Sequence, residues 1–111
     1  MGTIKMMQGD SYYVFIDMKQ YEETLMPDIV DDLEVSVGED LQYIVSEGRV
    51  GFDTATNRWF FRPTQEETFS LEPGQYNVIV RVKYANDPMS DVKGVMVGRI
   101  IIEDSYSEEV L

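Results

Sequence analysis

The sequence contains no cysteine and no histidine. Without cysteine there is no disulfide, no thiolate nucleophile, no iron–sulfur cluster and no Cys-ligated zinc. Without histidine the chain lacks the commonest general base and the commonest transition-metal ligand. Cations are scarce as well: 9 Lys and Arg stand against 21 Asp and Glu, a formal net charge of −12. Such a surface repels polyphosphate, and counterion release on DNA needs Lys and Arg against phosphates, so no direct nucleic-acid binding is expected. Anionic membranes are disfavoured by the same repulsion. No apolar run approaches the roughly 20 residues of a membrane-spanning helix. The opening residues 1–10 hold no apolar stretch of the secretory kind, so export by the general route is not expected either.

What is present is enough apolar material for a core, 43% of 111 residues, in a length that suits one domain. It is laid out with the period of a half-buried strand. Tyr76, Val78, Val80, Val82 and Tyr84 alternate with Asn77, Ile79, Arg81 and Lys83. Leu33, Val35 and Val37 alternate with Glu34 and Ser36, and Tyr12, Val14, Ile16 and Met18 alternate with Tyr13, Phe15 and Asp17. Further strands are expected over Thr3 to Met7, Leu41 to Ser46, Arg49 to Phe52, Arg58 to Arg62 and Val92 to Glu103. Between them lie turn residues, among them Gln8-Gly9-Asp10, Gly38-Glu39-Asp40, Glu47-Gly48, Pro73-Gly74 and Asn86-Asp87-Pro88. Gly94 and Gly98 fall inside the last strand, where glycine marks a bulge or a close backbone approach. Thr64 followed three residues later by Glu67 has capping-box spacing and allows a helical turn over Pro63 to Thr68. The fold expected is all-β: an immunoglobulin-like antiparallel β-sandwich of about seven to nine strands. It occupies residues 1–104, with 105–111 as an acidic carboxy-terminal tail.

Leu71, Pro73, Gly74 and Tyr76 have a mechanical order. The leucine buries, Pro-Gly turns the chain, and the tyrosine opens an inward-facing strand from which its hydroxyl can bond back across the corner between sheets. The plainer alternative is a hairpin turn followed by a core aromatic. With the corner in place, the chain resembles the small immunoglobulin-like domain at the amino terminus of phage baseplate upper proteins and related tail and virion components. The resembling elements are Ile4 to Asp10, the strand Tyr12 to Asp17, the corner Thr68 to Tyr76 and the closing strand Val95 to Glu103 with its run Gly98-Arg99-Ile100-Ile101-Ile102. The resemblance implies a non-enzymatic structural subunit of a bacteriophage or prophage virion, in tail, baseplate or head. It would dock on other virion proteins and be oligomeric in the particle. It would reside in the virion, and in the host cytoplasm before assembly, with no cofactor and no catalytic residue to carry over. Baseplate proteins of that type continue into a long carboxy-terminal region that these residues do not include, so a head decoration or tail accessory subunit suits the resemblance equally well.

Other chemistry is thinly supported. Asp31, Asp32 and Glu34, and Glu39 with Asp40, are the densest acidic groups. Neighbours on a strand point to opposite faces and no calcium-loop spacing is present, so they read as solvated charge and no metal site is assigned. Ser90 and Lys93 have Ser-x-x-Lys spacing but fall in a turn feeding a strand, away from the helical setting that aligns such a pair. Trp59 and Phe61 are expected in the core, while Phe60 is open between covering a sheet edge and contacting a partner. The surplus of apolar residues on second strand faces, namely Tyr13, Phe15, Phe60, Ile79, Met96, Ile100 and Ile102, marks an expected protein interface. A carbohydrate- or receptor-binding sandwich module, reading its ligand through Trp59 or Phe60, is the alternative function.

Overall fold

The computed structural model describes residues 1–20, 23–85, 92, 94–107 and 109–111. Alternating segments become strands: β1 (Gly2–Met7), β2 (Val14–Ile16), β3 (Lys19–Gln20), β4 (Glu23–Thr24), β5 (Val30–Val37), β6 (Leu41–Ile44), β7 (Val50–Asp53), β8 (Arg58–Phe61), β9 (Gly74–Tyr84) and β10 (Gly94–Glu103). A short helix, α1 (Gln65–Ser70), joins β8 to β9. The Asn86-Asp87-Pro88 turn and the Ser90 and Lys93 pair fall outside the described residues.

Five strands form one sheet in the order β1-β10-β9-β5-β6, and three form the other in the order β2-β8-β7. β3 and β4 make a separate hairpin. This is an all-β sandwich whose strand order matches the immunoglobulin plan, with β2, β5, β7, β8, β9 and β10 in the places of strands B, C, D, E, F and G. One detail departs from a wholly antiparallel sandwich: β1 runs parallel to β10, with Ile4 opposite Ile100 and Met6 opposite Ile102. Alternation encodes which face is buried and says nothing of strand direction, so this pairing has no mark in the sequence.

Leu33, Val35 and Val37 of β5, and Val78, Val80 and Val82 of β9, interleave with Val14, Ile16, Trp59 and Phe61 of the smaller sheet in one core. Trp59 is almost wholly buried, and its indole N–H donates to the carbonyl of Leu25 at 2.8 Å. That bond satisfies a polar atom burial would otherwise leave unpaired, and it ties β8 to the segment after β4.

Two interface expectations on β10 are corrected. Ile100 and Ile102 lie in the core, not on the outer face. The register across β9 and β10 runs Met96 opposite Ile79, then Gly98 opposite Val78 and Ile100 opposite Tyr76, so Val97 is an extra residue in a bulge. One inserted residue reverses the face on which every later side chain falls. Met96 and Ile100 share a parity in the sequence and occupy opposite faces in the fold. Gly98 marks the neighbourhood for a second reason: a Cβ there would lie 2.5 Å from the carbonyl oxygen of Gly2, so β1 can approach β10 only across a glycine.

The corner between the sheets is a tyrosine corner. Leu71 is buried, and Tyr76 donates its hydroxyl to the carbonyl of Glu72 at 2.6 Å. Val78, two residues on, is fully buried where disulfide-bearing immunoglobulin domains place their second cysteine. Helix α1 carries the full capping box: Thr64 Oγ1 accepts from Glu67 N–H at 3.1 Å, and Glu67 Oε1 accepts from Thr64 N–H at 2.8 Å. The helix begins one residue past Thr64 and runs to Ser70, two residues beyond the expected end. Thr68, buried on its inner side, accepts from Gly9 N–H and donates to the Asp10 carbonyl, both at 2.9 Å, which pins the turn after β1 to the helix.

β1 is an edge strand, and the end of its free side nearest the following turn is engaged locally. The Lys5 carbonyl accepts from the Tyr12 hydroxyl at 3.2 Å, and Met7 N–H donates to Asp10 Oδ2 at 2.8 Å. The Met7 carbonyl in turn accepts from Asp10 N–H at 3.0 Å.

Candidate functional site

The residues expected to form one interface separate into three places. Tyr13, Phe15 and Phe60 meet on the outer face of the three-stranded sheet. Ile79 and Met96 face each other on the outer face of the five-stranded sheet, on the opposite side of the sandwich. Ile100 and Ile102 are core.

The first of these places is built by register. Phe15 lies opposite Phe60 across β2 and β8, and Gly51 lies opposite Phe60 across β8 and β7. Tyr13 and Phe60 meet edge to face with ring centroids 5.4 Å apart, and Phe15 and Phe60 are tilted at 6.0 Å. Pairs of this kind contribute about 0.5–1.5 kcal/mol each beyond their buried area. The bare backbone of Gly51 is what lets Phe60 lie across β7. A Cβ on Gly51 would stand 2.6 Å from Phe60 Cζ. An aromatic ring covering an edge-strand glycine is a known stabilising pair, so part of the role of Phe60 is structural. Tyr13 remains 52% exposed, and this is the aromatic edge left to contact something else.

Two arginines complete the face. Alternation along β8 places Arg58 on the same side as Phe60, and Arg62 follows with the same parity. The Arg58 guanidinium carbon sits 4.2 Å from the centre of the Phe15 ring, and that of Arg62 sits 5.0 Å from the centre of Tyr13. Arg62 is held from behind by Ser11, whose hydroxyl accepts from Arg62 Nε at 3.2 Å and donates to the Pro63 carbonyl at 2.7 Å. Stacked guanidiniums of this kind contribute about 0.5–1 kcal/mol each at exposed positions. Arg62 also donates from Nη2 to the Ser11 carbonyl at 3.5 Å, which leaves its Nη1 side for a carboxylate or phosphate.

Among the described residues the ion pairs are Arg49 with Glu67, Arg81 with Glu34 and Lys83 with Asp31. Arg58 and Arg62 take part in none of them. Asp53 lies opposite Arg58 in register, but its two oxygens already accept from Ala55 N–H and the Thr56 hydroxyl. Those bonds, the Thr56 hydroxyl first, together with the charge of Arg58 hold the Asp53 carboxyl below its ordinary value.

Two shallow depressions flank Phe60 and share it and Tyr13 as walls. One, of about 290 Å³, is also lined by Gly48, Arg49, Val50, Gly51 and Arg62. The other, of about 250 Å³, is also lined by Phe15, Phe52, Asp53 and Thr54. A larger depression of about 810 Å³ lies beside α1, bounded by Gln8, Glu66, Phe69, Pro73, Asp104, Tyr106, Ser107 and Val110. Its lining has carboxylates and no cation, which gives an incoming group no charged anchor of opposite sign to the chain.

Behind the aromatic face sits a second polar group. The Arg49 guanidinium lies 4.8 Å over the Tyr43 ring and binds Glu67 at 2.5 Å. Burial pushes the Glu67 carboxyl up, but the Thr64 N–H and Arg49 outweigh it and hold it below the usual glutamate value. The Tyr43 hydroxyl is buried without a hydrogen-bond partner. Burial first, and then the Glu67 charge, raise its pKa above that of an ordinary tyrosine.

Among the described residues no group of three or more Asp, Glu, His or Cys is placed to hold a metal ion. Asp32, in the densest acidic cluster, is engaged locally, accepting from Leu33 N–H at 2.9 Å and from the Ser46 hydroxyl at 2.9 Å. Arg58 and Arg62 flank the aromatic run in the sequence and share the parity of Phe60, which marks them for this face, whereas the pairing of Gly51 with Phe60 depends on cross-strand register and has no mark there. Trp59, a candidate ligand contact under the sugar-binding alternative, is core. Comparison with protein-family models and with curated proteins finds no match for this chain.

Proposed function

We propose that this chain is a non-enzymatic docking module of a bacteriophage or prophage virion, engaging a neighbouring virion protein through the outer face of its three-stranded sheet. The observation that carries the docking part is the cluster of Tyr13, Phe15 and Phe60 crossed by Arg58 and Arg62. Tyrosine and arginine are the residue types that dominate binding energy at protein interfaces. The virion part rests on the resemblance of the opening strand, the corner and the closing strand to baseplate-type domains. A net charge of −12 would keep such a subunit soluble and apart from its copies in the host cytoplasm until it meets its place in the particle. The partners in this reading are other virion proteins, and nucleic acid and anionic membrane are repelled by the same charge.

Quantitative mass spectrometry of purified particles tests the assignment. The chain is expected in virions, with a copy number near that of the major capsid protein for a head decoration and only a few copies for a baseplate. Particles that lack it end the proposal. The docking face is tested by Tyr13→Ala, which should release the subunit from the particle while leaving its melting temperature nearly unchanged.

The depression lined by Tyr13, Phe15, Phe52, Asp53, Thr54 and Phe60 favours a second reading, because it joins aromatic rings to a carboxylate and a hydroxyl, the groups that bind sugars. A glycan array that stays blank at millimolar ligand removes it.

A further inference from the structure

The docking face has a sign opposite to that of the molecule. We infer that the segment it receives is acidic: a stretch of a different protein that presents carboxylates to Arg58 and Arg62 and an apolar or aromatic side chain to the space beside Tyr13 and Phe60. This rests on the docking reading and adds the chemistry of the partner.

The argument begins with how the chain distributes its 9 cations against 21 acids. Among the described residues three of these cations are in ion pairs, while Lys5, Lys19, Arg58, Arg62 and Arg99 are in none. What sets Arg58 and Arg62 apart is that both lie over aromatic rings on one face. Arg81 and Lys83, on the outer face of the larger sheet, are paired with Glu34 and Asp31. Arg49 is paired with Glu67. Arg58 and Arg62 are instead stacked on aromatic rings, and the acid opposite Arg58 in register, Asp53, makes its hydrogen bonds within its own loop and meets Arg58 through charge alone. Two guanidiniums therefore stand at either end of Phe60 on one sheet face, Arg62 turning Nε and one Nη2 N–H to Ser11 and keeping its other N–H groups without a partner among the described residues.

Spacing supports a single extended occupant. Arg58, Phe60 and Arg62 are alternate residues of one run, so their side chains follow one another at roughly 7 Å intervals on the same face. An extended peptide laid along β8 has the same repeat on its own facing side and can present carboxylate, apolar side chain and carboxylate in register with arginine, ring and arginine. Each guanidinium can then donate two N–H bonds to one carboxylate, while the ring beneath keeps the pair partly out of water. The apolar side chain enters the depression of about 290 Å³ beside Tyr13 and Phe60. A second copy of this chain is disfavoured as the source, because each copy carries −12 and their mutual repulsion opposes the approach.

Amide-resolved NMR of the full chain tests this with two short synthetic peptides: one with glutamates on alternate positions around a central tyrosine, the other identical but with glutamine for each glutamate. The acidic peptide is expected to shift the amides of residues 13–15, 51 and 58–62 and to bind at least about five-fold more tightly than the neutral one, the advantage shrinking as salt is raised. Arg58→Gln with Arg62→Gln should erase that advantage. Arg58→Lys with Arg62→Lys should retain part of it, and Lys83→Glu on the opposite face should leave it intact. Lys83→Glu also serves as a fold control, and the glutamine pair is read only with native amide dispersion elsewhere. Equal binding of the two peptides at this face overturns the acidic assignment and leaves the docking reading standing. Shifts from neither peptide, or shifts centred elsewhere, overturn both. Stronger binding of an anionic sugar such as sialyllactose at these amides overturns the peptide in favour of a glycan. Concentration-dependent shifts of the same amides without peptide overturn the choice of a different protein in favour of a second copy.

Discussion

The ring of Phe60 fills the space that a side chain on Gly51 would need, its Cζ lying 2.6 Å from the position of the missing Cβ. The pair sets the height of the whole aromatic face. Gly51→Ala is expected to lift the ring outward and pull Tyr13 and Phe15 out of their edge contacts. Losing those two contacts, at about 0.5–1.5 kcal/mol each, should lower stability by about 1–3 kcal/mol. Ring-current shifts of Tyr13 and Phe60 should move markedly together with a lowered melting temperature. A large drop in melting temperature with unchanged ring shifts would contradict this account.

Trp59→Ala acts on the core instead. It removes the largest side chain at the centre of β8 and orphans the Leu25 carbonyl, and large-to-small core changes of this type cost about 3–5 kcal/mol. Chemical denaturation is expected to show a much lower midpoint for this variant. If the variant unfolds like the parent yet loses binding, the residue belongs to the site and not to the core.

Tyr76→Phe keeps the ring that packs against Gly38 and deletes only the hydroxyl that reaches Glu72. A partly exposed hydrogen bond contributes on the order of 1 kcal/mol, so a lowering of the melting temperature by a few degrees is expected, read by calorimetry. Gly38 has φ 59° and a Cβ there would lie 2.8 Å from Tyr76 Cδ1, so Gly38→Ala should cost more, from backbone and ring together.

Glu67 links stability to acid. Its folded carboxyl titrates below its unfolded value of roughly 4.3. A group shifted down contributes stability that is fully present above the unfolded pKa and is lost as the pH falls through the folded one. Denaturation midpoints should therefore fall from about pH 4.3 downward, and Glu67→Gln should flatten that limb while lowering stability at neutral pH. An acid limb of unchanged steepness in the variant would assign the loss to other carboxylates.

Tyr43 works at the other end of the pH scale. Its hydroxyl is buried and unpaired, so Tyr43→Phe should leave stability unchanged or raise it at neutral pH. Its raised pKa means that stability is intact below the ordinary tyrosine value near 10 and declines as the pH climbs past it. The phenylalanine variant should show a weaker alkaline decline. A marked loss at neutral pH would reveal a bond to the hydroxyl.

Much of this architecture is legible in the residues because burial leaves a two-residue rhythm. The stripe from Tyr76 to Val82 becomes the central strand of the larger sheet, and Thr64 with Glu67 spells a capping box that forms atom for atom. The order Leu71, Pro73, Gly74, Tyr76 folds into the corner it describes. What the rhythm hides is any step that changes its phase. One residue at Val97 does so, and Ile100 and Ile102 move from the surface into the core. Strand direction is equally silent, and so is the pairing of β1 with β10. At the candidate face, the aromatics were visible by parity. The stacking of Arg58 and Arg62 was not, since it depends on which strand lies beside β8.

Tyr12 occupies the outward-facing carbonyl of Lys5 and Asp10 both outward-facing groups of Met7, so a foreign strand cannot be zipped onto that end of β1 without first evicting them. Growth of the ribbon kind, in which one sheet is prolonged from molecule to molecule, is opposed at that end of the flank. Replacing Tyr12 and Asp10 is what would open it.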